Sequence, residues 1–360
     1  MPIERKPDFE KSLQRFEAWW NCEIIDRPPV NLGVKRTKPA PKLPEKKYAS
    51  FRERWFDFDH QLERMEIQTA QGVYPADNFP MWMGNLGPEI CATIFGCELE
   101  FSEYSSWSKP ICTDIRQVLQ LKPDLNNVYW KAIREATKKS IERGRGKWLT
   151  GHTDLHTNGD ILAAFRDPQN LCLDMIDDPE GAALACQHVT KFYPAMFDDL
   201  YNLIAAAGLP STTWTPTLHQ GRSYVSQCDF ICMISPDQFR QVILPSLIQE
   251  NSHLDRIIYH LDGPGALRHL DDLLTKANVN AVQWVYGAGA GPASKWIDVY
   301  KRIQAAGKGM QVLCESWEDA RTVCEHLRPE GVWLCIGEQF EEEQIPGVLD
   351  WITKWAAGKR

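Results

Sequence analysis

A histidine and a carboxylate lie two residues apart, His260 and Asp262, at the end of a short apolar run that indicates a buried strand. Because side chains alternate across a strand, residues two apart share one face. The turn Gly263-Pro264-Gly265 follows at once. A strand that delivers polar groups at its carboxyl end and then turns into a helix is typical of active sites in α/β barrels. An ordinary αβ turn with a helix-capping aspartate is the alternative.

A thiol later in the chain completes a candidate metal site. Cys335 lies in another apolar run, so His260, Asp262 and Cys335 could offer imidazole, carboxylate and thiolate to one ion. Three such ligands can hold zinc and leave a fourth position open for a substrate. These three residues are the predicted metal ligands. In the alternative, the His–Asp pair is only hydrogen-bonded and Cys335 is a small core residue.

Four further residues are predicted to be catalytic. Asp154 and His156 follow a predicted strand near residue 149, His219 follows one near 213, and Asp229 precedes one near 231. Imidazoles and carboxylates serve as general acids and bases when burial brings their pKa values toward neutrality. For Asp154, the alternative is that it caps a helix beginning near Asn158.

Six residues are predicted to bind the substrate. Two arginines could hold an anionic group through bidentate contacts. The other side chains are aromatic or amide groups, either near predicted strand ends or within the irregular segment 74–112, which would cover a barrel mouth as a lid-like insertion. The six are Arg36, Asn78, Trp82, Arg222, Trp284 and Tyr286.

The elements that must position these residues alternate along the chain. Eight strands are predicted, near residues 30, 149, 213, 231, 258, 283, 312 and 334. Strands that alternate with helices indicate a parallel sheet with right-handed crossovers. The glycine run 287–291 is not a dinucleotide fingerprint, so a TIM (β/α)8 barrel is favoured over a doubly wound sheet. We expect one domain over 1–360, with an N-terminal helical extension over 1–27 and a hairpin around 98–112.

Composition excludes several classes of function. Forty Lys and Arg against 48 Asp and Glu give a net charge of −8, with no basic run, which argues against binding to nucleic acid. No apolar run is long enough to span a membrane. Eleven cysteines without a CxxC pair, and no secretory signal, favour reduced thiols in the cytoplasm. The partner is therefore expected to be a small molecule. Trp351 and Trp355 leave a homodimer open, although core packing would also use them.

Several short motifs resemble the uroporphyrinogen decarboxylase superfamily. They are Arg27-Pro-Pro-Val30, Asp229 with Ile234-Ser-Pro-Asp-Gln-Phe239, Leu244-Pro245, and Tyr259-His260-Leu-Asp262-Gly263. The resemblance covers most of residues 20–355 and implies a TIM barrel. The superfamily contains the cofactor-free porphyrinogen decarboxylase and zinc-dependent methyltransferases that serve corrinoid proteins and coenzyme M.

This chain departs from both branches. The methyltransferases place zinc on a His-x-Cys and a later Cys, whereas here the first motif is His260-Leu-Asp262, with Cys335 where the later Cys could fall. The decarboxylase uses an Arg-Gln-Ala-Gly-Arg loop, and this chain has only Lys35-Arg36. The resemblance therefore implies a methyltransferase or demethylase that uses zinc and a corrinoid carried by a separate protein. The alternatives are a metal-free decarboxylase of a carboxylated ring compound and a non-catalytic barrel that binds a tetrapyrrole or corrinoid.

Overall fold

A parallel sheet forms the centre of the molecule. The computed structural model describes residues 3–35, 43 and 45–358, and Arg36 lies outside them. The strands in this part of the chain are β1 (Val30–Val34), β2 (Met81–Trp82), β3 (Leu99–Phe101), β4 (Ser106–Ser108), β5 (Leu149–Thr150), β6 (Ser223–Gln227), β7 (Arg256–Asp262), β8 (Ala281–Val285), β9 (Gly309–Cys314) and β10 (Val332–Phe340).

Six of these strands pair in the order β1-β10-β9-β8-β7-β6, and all of these pairs are parallel. The first strand therefore lies beside the last, and the remaining strands follow in chain order, as in a TIM barrel. β2 and β5 form a separate parallel pair. The predicted α/β fold with its parallel strands is confirmed, while strand pairing does not join the described strands into one closed ring.

Helices connect and cover the strands. The α-helices of the described residues are α1 (Phe9–Trp20), α2 (Phe51–Phe56), α3 (Phe58–Gln71), α4 (Ile90–Thr93), α5 (Val128–Arg143), α6 (Asn158–Arg166), α7 (Pro168–Asp177), α8 (Pro179–Thr190), α9 (Tyr193–Ala206), α10 (Pro236–Gln238), α11 (Leu244–Asn251), α12 (Leu270–Lys276), α13 (Ile297–Ala305), α14 (Trp317–His326) and α15 (Ile345–Ala356). Short 3₁₀ helices cover Ile115–Gln120, Asp229–Met233, Pro264–His269, Ala293–Trp296 and Glu342–Gln344, and a π-helical turn covers Phe239–Ile243. Within the described residues, no helix combines the length and apolarity that crossing a membrane requires.

The strand predictions near 30, 149, 258, 283, 312 and 334 are confirmed, and those near 213 and 231 are wrong. The threonine-rich run near 213 makes one isolated bridge, between Ser211 and His219. The apolar run that begins at Asp229 forms a 3₁₀ helix. The strand of this region is β6, whose sequence Ser-Tyr-Val-Ser-Gln is entirely buried but too polar to be predicted from hydrophobicity.

The N-terminal extension is fixed to the sheet by a buried carboxylate. Asp77, fully buried in the loop before β2, pairs with Arg15 of α1 at 2.9 Å and with Arg27. Its Oδ2 also accepts a hydrogen bond of 2.9 Å from the backbone N–H of Val30 at the start of β1. On the same helix, Trp19 packs edge-on against Trp333 of β10, with ring centroids 5.7 Å apart. The extension is therefore part of the core.

The segment 74–112 contains the predicted hairpin. β3 and β4 pair antiparallel, with Glu100 opposite Trp107. Its role as a lid stays a prediction. The outer helix α15 turns its tryptophans inward, since Trp355 is buried and the Trp351 ring lies edge-on against Trp317 at 5.2 Å. These two residues therefore offer no large exposed apolar surface to a second copy.

Candidate functional site

A histidine and two aspartates converge at the carboxyl edge of the sheet. One ligand atom each from Asp229, His260 and Asp262 lies within 4.8 Å of the other two. His260 and Asp262 end strand β7, and Asp229 comes two residues after β6. The last residue of β6, Gln227, pairs in register with His260, which brings Asp229 across to it. Two carboxylates and an imidazole are groups that bind divalent metals such as zinc.

The orientation of His260 leaves one nitrogen facing the aspartates. Its Nδ1 is hydrogen-bonded to Oε1 of Gln283. An amide oxygen only accepts, so Nδ1 is the donor and carries a proton. Nε2 then points toward Asp229, with 3.8 Å between Nε2 and Oδ1. Trp214 lies edge-on against the imidazole at 5.0 Å and shields it on one side. Metal-binding histidines are commonly oriented by such a bond on the second nitrogen.

A second polar cluster, formed by Asp154, His156 and Asp160, lies behind the group of Asp229, His260 and Asp262. His156 lies between two carboxylates, with Nε2 3.2 Å from Asp154 Oδ2 and Nδ1 3.1 Å from Asp160 Oδ2. Burial lowers the pKa of His156, but the two carboxylates outweigh it and hold the pKa well above its ordinary range. The imidazole is therefore a cation at neutral pH, and it offsets part of the negative charge of the two aspartates.

Asp160 links the two clusters. Its carboxylate accepts hydrogen bonds from the backbone N–H groups of Asp229 at 3.1 Å and Phe230 at 3.0 Å. This contact starts the 3₁₀ helix and holds Asp229 beside His260. Burial, and then the charge of Asp160, raise the pKa of Asp229. Asp229 is therefore protonated in a larger fraction of molecules than an ordinary aspartate, and a cation that bound it would more often have to displace a proton.

The predicted acid–base pair is thus placed behind Asp229. Asp154 accepts from Trp214 Nε1 at 3.1 Å and from Gln227 Nε2 at 2.7 Å. The helix predicted near Asn158 does begin there, but Thr157 precedes it and Asp154 does not cap it. Asp154 and His156 contact residues that position the triad, and their direct part in chemistry stays a prediction.

An open cavity lies at the same edge of the sheet, farther along it. Its volume is about 430 Å³, within the range of sites for small molecules. Its lining residues are Asn31, Leu32, Gly33, Asn78, Tyr286, Leu313, Cys314, Glu315, Cys335, Ile336 and Gly337. Two of the six predicted substrate-binding residues, Asn78 and Tyr286, are therefore among them.

Cys335 belongs to this cavity and is absent from the group of ligand atoms around His260. Its sulfur accepts a hydrogen bond of 3.1 Å from Gln311 Nε2. Burial raises the pKa of Cys335 to about 12, so the group is a thiol at neutral pH. The structure brings Asp229, rather than the predicted Cys335, beside His260 and Asp262, because β8 and β9 separate β10 from β7.

Three other residues predicted to bind the substrate are not among those that line the cavity. Trp284 is fully buried against Trp296 at 5.2 Å, because alternation along β8 sends it to the face opposite Gln283. Trp82 packs edge-on against Phe58 at 6.2 Å. Arg222 pairs with Asp198 and lies over the Tyr201 ring.

Arg222 and His219 were expected at a carboxyl strand end, and that prediction is wrong. Both precede β6, so they lie at the amino edge of the sheet, away from His260. His219 is bonded there to Glu17 of α1 at 2.9 Å. The error arises because the sequence pattern predicts a strand at the threonine run near 213, which these two residues would follow, whereas they precede β6.

The sequence prediction also missed two glutamines. Gln283 and Gln311 are buried in the middle of β8 and β9. A buried amide needs hydrogen-bonding partners. A lone glutamine inside each of two neighbouring apolar strands is the sequence feature that could have identified them.

Glu250 lies behind the second cluster, and its protonation makes the stability of the protein depend on pH. It is almost fully buried on α11 and accepts hydrogen bonds from Thr157 and from Asn158 Nδ2, which it holds at the start of α6. Burial raises its pKa from an ordinary 4.5 to about 7. The folded protein therefore binds this proton more tightly than the unfolded chain does.

We expect the wild-type protein to lose stability relative to Glu250→Gln as the pH rises toward 7. Between the unfolded and folded pKa values the folded state holds one more proton, so the free energy of unfolding falls by about 1.4 kcal/mol per pH unit. Above about pH 7 the difference becomes constant. Urea unfolding of both proteins from about pH 5 to 8 measures it. Parallel curves for the two proteins would contradict the assignment.

The comparisons with known proteins bear on the fold. No family model matches the chain, and no curated protein matches it. Among solved structures, it is similar to a methyltransferase from Methanosarcina mazei, with a TM-score of 0.57 and 12% identity over 95% of this chain and 98% of that one. At that identity the likeness shows a shared fold and carries no activity with it. The α/β, TIM-like fold is supported over nearly the whole chain.

Proposed function

We propose that this protein is a metal-dependent methyltransferase, which moves a methyl group between a small methylated substrate and a corrinoid protein or a thiol. The observation that carries the proposal is the convergence of Asp229, His260 and Asp262 at the carboxyl edge of the sheet. In parallel α/β folds this edge is where active sites form. The structural neighbour that shares this fold is a methyltransferase, and the resemblance to the uroporphyrinogen decarboxylase superfamily, which contains methyltransferases, points to the same activity.

The three residues fit a zinc ion in their chemistry. Two carboxylate oxygens and one imidazole nitrogen would occupy three positions and leave one for a substrate. Zinc bonds of about 2 Å place ligand atoms at most about 4 Å from one another. The three ligand atoms lie within 4.8 Å of one another here, so small side-chain rotations would bring them to that separation. A bound zinc would act as a Lewis acid toward a thiol or a substrate oxygen.

The rest of the site would hold the substrate and manage charge. Tyr286 and Glu315 line the cavity in which the small methylated substrate would lie. The His156 cation would limit the negative charge that the carboxylates present together, and Asp160 would hold Asp229 in place. Asp229 would bind the ion as a carboxylate, so zinc would displace the proton that its raised pKa favours.

We propose further that the corrinoid is carried by a separate protein. The run from Asp154 to Gly159 has the Asp-x-His-x-x-Gly spacing of corrinoid-binding domains. In this structure, however, both nitrogens of His156 are bonded to carboxylates. Neither is free to bind cobalt, and this observation favours a cofactor delivered from outside.

A metal-free decarboxylase receives less support from the geometry. Of the two arginines that would hold its carboxylate, Arg222 lies at the other edge of the sheet, paired with Asp198, and Arg36 lies outside the described residues. Three of the four aspartates around His156 and His260 form ion pairs with these histidines, and in the described part of the chain none of the four pairs with an arginine or a lysine. A carboxylated ring would meet like charge there.

Metal analysis followed by an activity assay tests the proposal. We expect about one zinc per chain by plasma mass spectrometry of protein purified without chelator. The zinc-loaded protein should transfer a methyl group from methylated amines, alcohols or thiols to free cob(I)alamin, and the chelator-treated protein should not. A metal-free protein that releases carbon dioxide from carboxylated ring compounds would instead establish the lyase.

A further inference from the structure

A chain of side-chain hydrogen bonds crosses four strands beneath the site. It starts at Nδ1 of His260, which is bonded to Oε1 of Gln283. Gln283 Nε2 donates to Oε1 of Gln311 at 2.6 Å, and Gln311 Nε2 donates to the sulfur of Cys335 at 3.1 Å. We call these four residues the amide relay. It joins the candidate metal ligand His260 to the thiol that lines the cavity.

Strand register builds the amide relay. His260 pairs with Gln283, and Gln283 pairs with Gln311, so these side chains lie side by side on one face of the parallel sheet. Gln311 pairs with Trp333 of β10, and Cys335 lies two residues farther along that strand. Both glutamines are buried. Water therefore does not readily replace the hydrogen bonds that the two glutamines make to each other, to His260 and to Cys335.

The bonds of the relay all run in one direction. Each amide offers an oxygen that accepts and a nitrogen that donates, so the orientation of one amide fixes that of the next. With Gln311 donating to sulfur, Gln283 must present its oxygen to His260. The neutral imidazole then carries its proton on Nδ1, and Nε2 presents a lone pair toward Asp229 and Asp262.

We propose that Gln283, Gln311 and Cys335 are positioning residues, which hold His260 in the Nδ1–H tautomer that a metal requires and couple the cavity to the metal ligands. The importance of that tautomer for catalysis rests on the proposed function, whereas its existence does not. The coupling is reciprocal. A ligand in the cavity that breaks the hydrogen bond between Gln311 and the Cys335 sulfur would alter the orientation of His260, and a metal bound to Nε2 of His260 would favour the amide orientation seen here.

The imidazole tautomer in metal-free protein is the direct test. Nitrogen-15 spectra of the full chain labelled at histidine distinguish Nδ1–H from Nε2–H, and the His260→Gln variant identifies the signal of His260 by its disappearance. We expect the Nδ1–H form in the wild type. A wild-type His260 that is predominantly Nε2–H would overturn the proposal. Because no metal and no turnover are involved, the result does not depend on whether the protein transfers methyl groups.

Breaking the relay far from His260 provides the second test. Gln311→Leu removes the middle link without touching His260 or Gln283, and we expect a mixed tautomer and zinc affinity lower by about tenfold or more by competition titration with Zn²⁺. Gln304→Leu, the same change on outer helix α13, is the matched control and should leave both unchanged.

The end of the relay gives an independent pair of variants. Cys335→Ser keeps an acceptor for Gln311 and should preserve the tautomer, whereas Cys335→Ala should shift it. If Gln311→Leu does not fold, the comparison of Cys335→Ser with Cys335→Ala tests the proposal instead. A folded Gln311→Leu protein, or Cys335→Ala, with the wild-type tautomer and zinc affinity would show that the glutamines only satisfy each other.

Discussion

Replacing His260 with alanine is expected to remove the metal from the protein and leave it folded. The imidazole is the one nitrogen ligand of the group with Asp229 and Asp262. Zinc sites with four ligands bind with a total of about 10–16 kcal/mol, so one ligand corresponds to roughly 3 kcal/mol, or about 100-fold in affinity. Plasma mass spectrometry and Zn²⁺ titration measure the loss. Asp262→Ala should behave in the same way.

Two variants control for this result. Cys335→Ser should retain stoichiometric metal, because its hydroxyl can still accept from Gln311 and Cys335 lies outside the ligand group. His188→Ala removes a histidine from outer helix α8, bonded there to Leu121 O at 2.9 Å, and should also keep the metal. Full zinc occupancy in folded His260→Ala, or its loss in Cys335→Ser alone, would contradict the ligand set and move the site to the cysteine.

Replacing Asp77 with alanine is expected to cause the largest loss of stability. Arg15 keeps its ion pair with Asp26 at 2.7 Å, but the buried guanidinium group of Arg27 loses its carboxylate, and the N–H of Val30 loses its acceptor. Deleting one partner of a buried ion pair costs about 3–5 kcal/mol, because the remaining charge is uncompensated. Urea unfolding monitored by tryptophan fluorescence measures this difference.

The matched control is Asp59→Ala. Asp59 pairs with Lys139 at 2.7 Å on the surface, and both side chains are about half exposed. Exposed pairs contribute at most about 1 kcal/mol, so little change is expected. Equal effects of the two substitutions, or a loss below about 1 kcal/mol for Asp77→Ala, would show that the N-terminal extension is not held by this carboxylate.

Most of the fold was predictable because most strands are apolar. The run from Ile257 to Tyr259 and the segment Ala281–Val285 are buried strands with an unambiguous pattern. β6 was missed because burial there depends on hydrogen bonding by serine and glutamine rather than on hydrophobicity. The apolar run after Asp229 was mistaken for a strand, because a 3₁₀ helix fixed by Asp160 depends on a contact from a distant part of the chain.

That one strand also accounts for the errors in the site. His260 and Asp262 could be paired from their spacing alone, since both lie on one predictable strand. Asp229 was predicted as a catalytic residue and not grouped with His260 and Asp262, because it was placed before a strand instead of after β6. The same shift sent His219 and Arg222 to the wrong edge. Cys335 could not be excluded from the ligands, because spacing does not give the number of strands between two residues.

The pairing of β1 with β10 has a consequence for how the chain is made. Val30 meets Leu334, and Phe16 of α1 packs against Trp333 at 5.1 Å, so partners are about 300 residues apart in sequence. At synthesis rates of about 5–20 residues per second, the N-terminal helix waits about 15–60 s for its binding surface to leave the ribosome. During that time its apolar face lacks its native partner. Folding of the N-terminal part is therefore completed only after β10 has left the ribosome, and contacts of such long range make it slow.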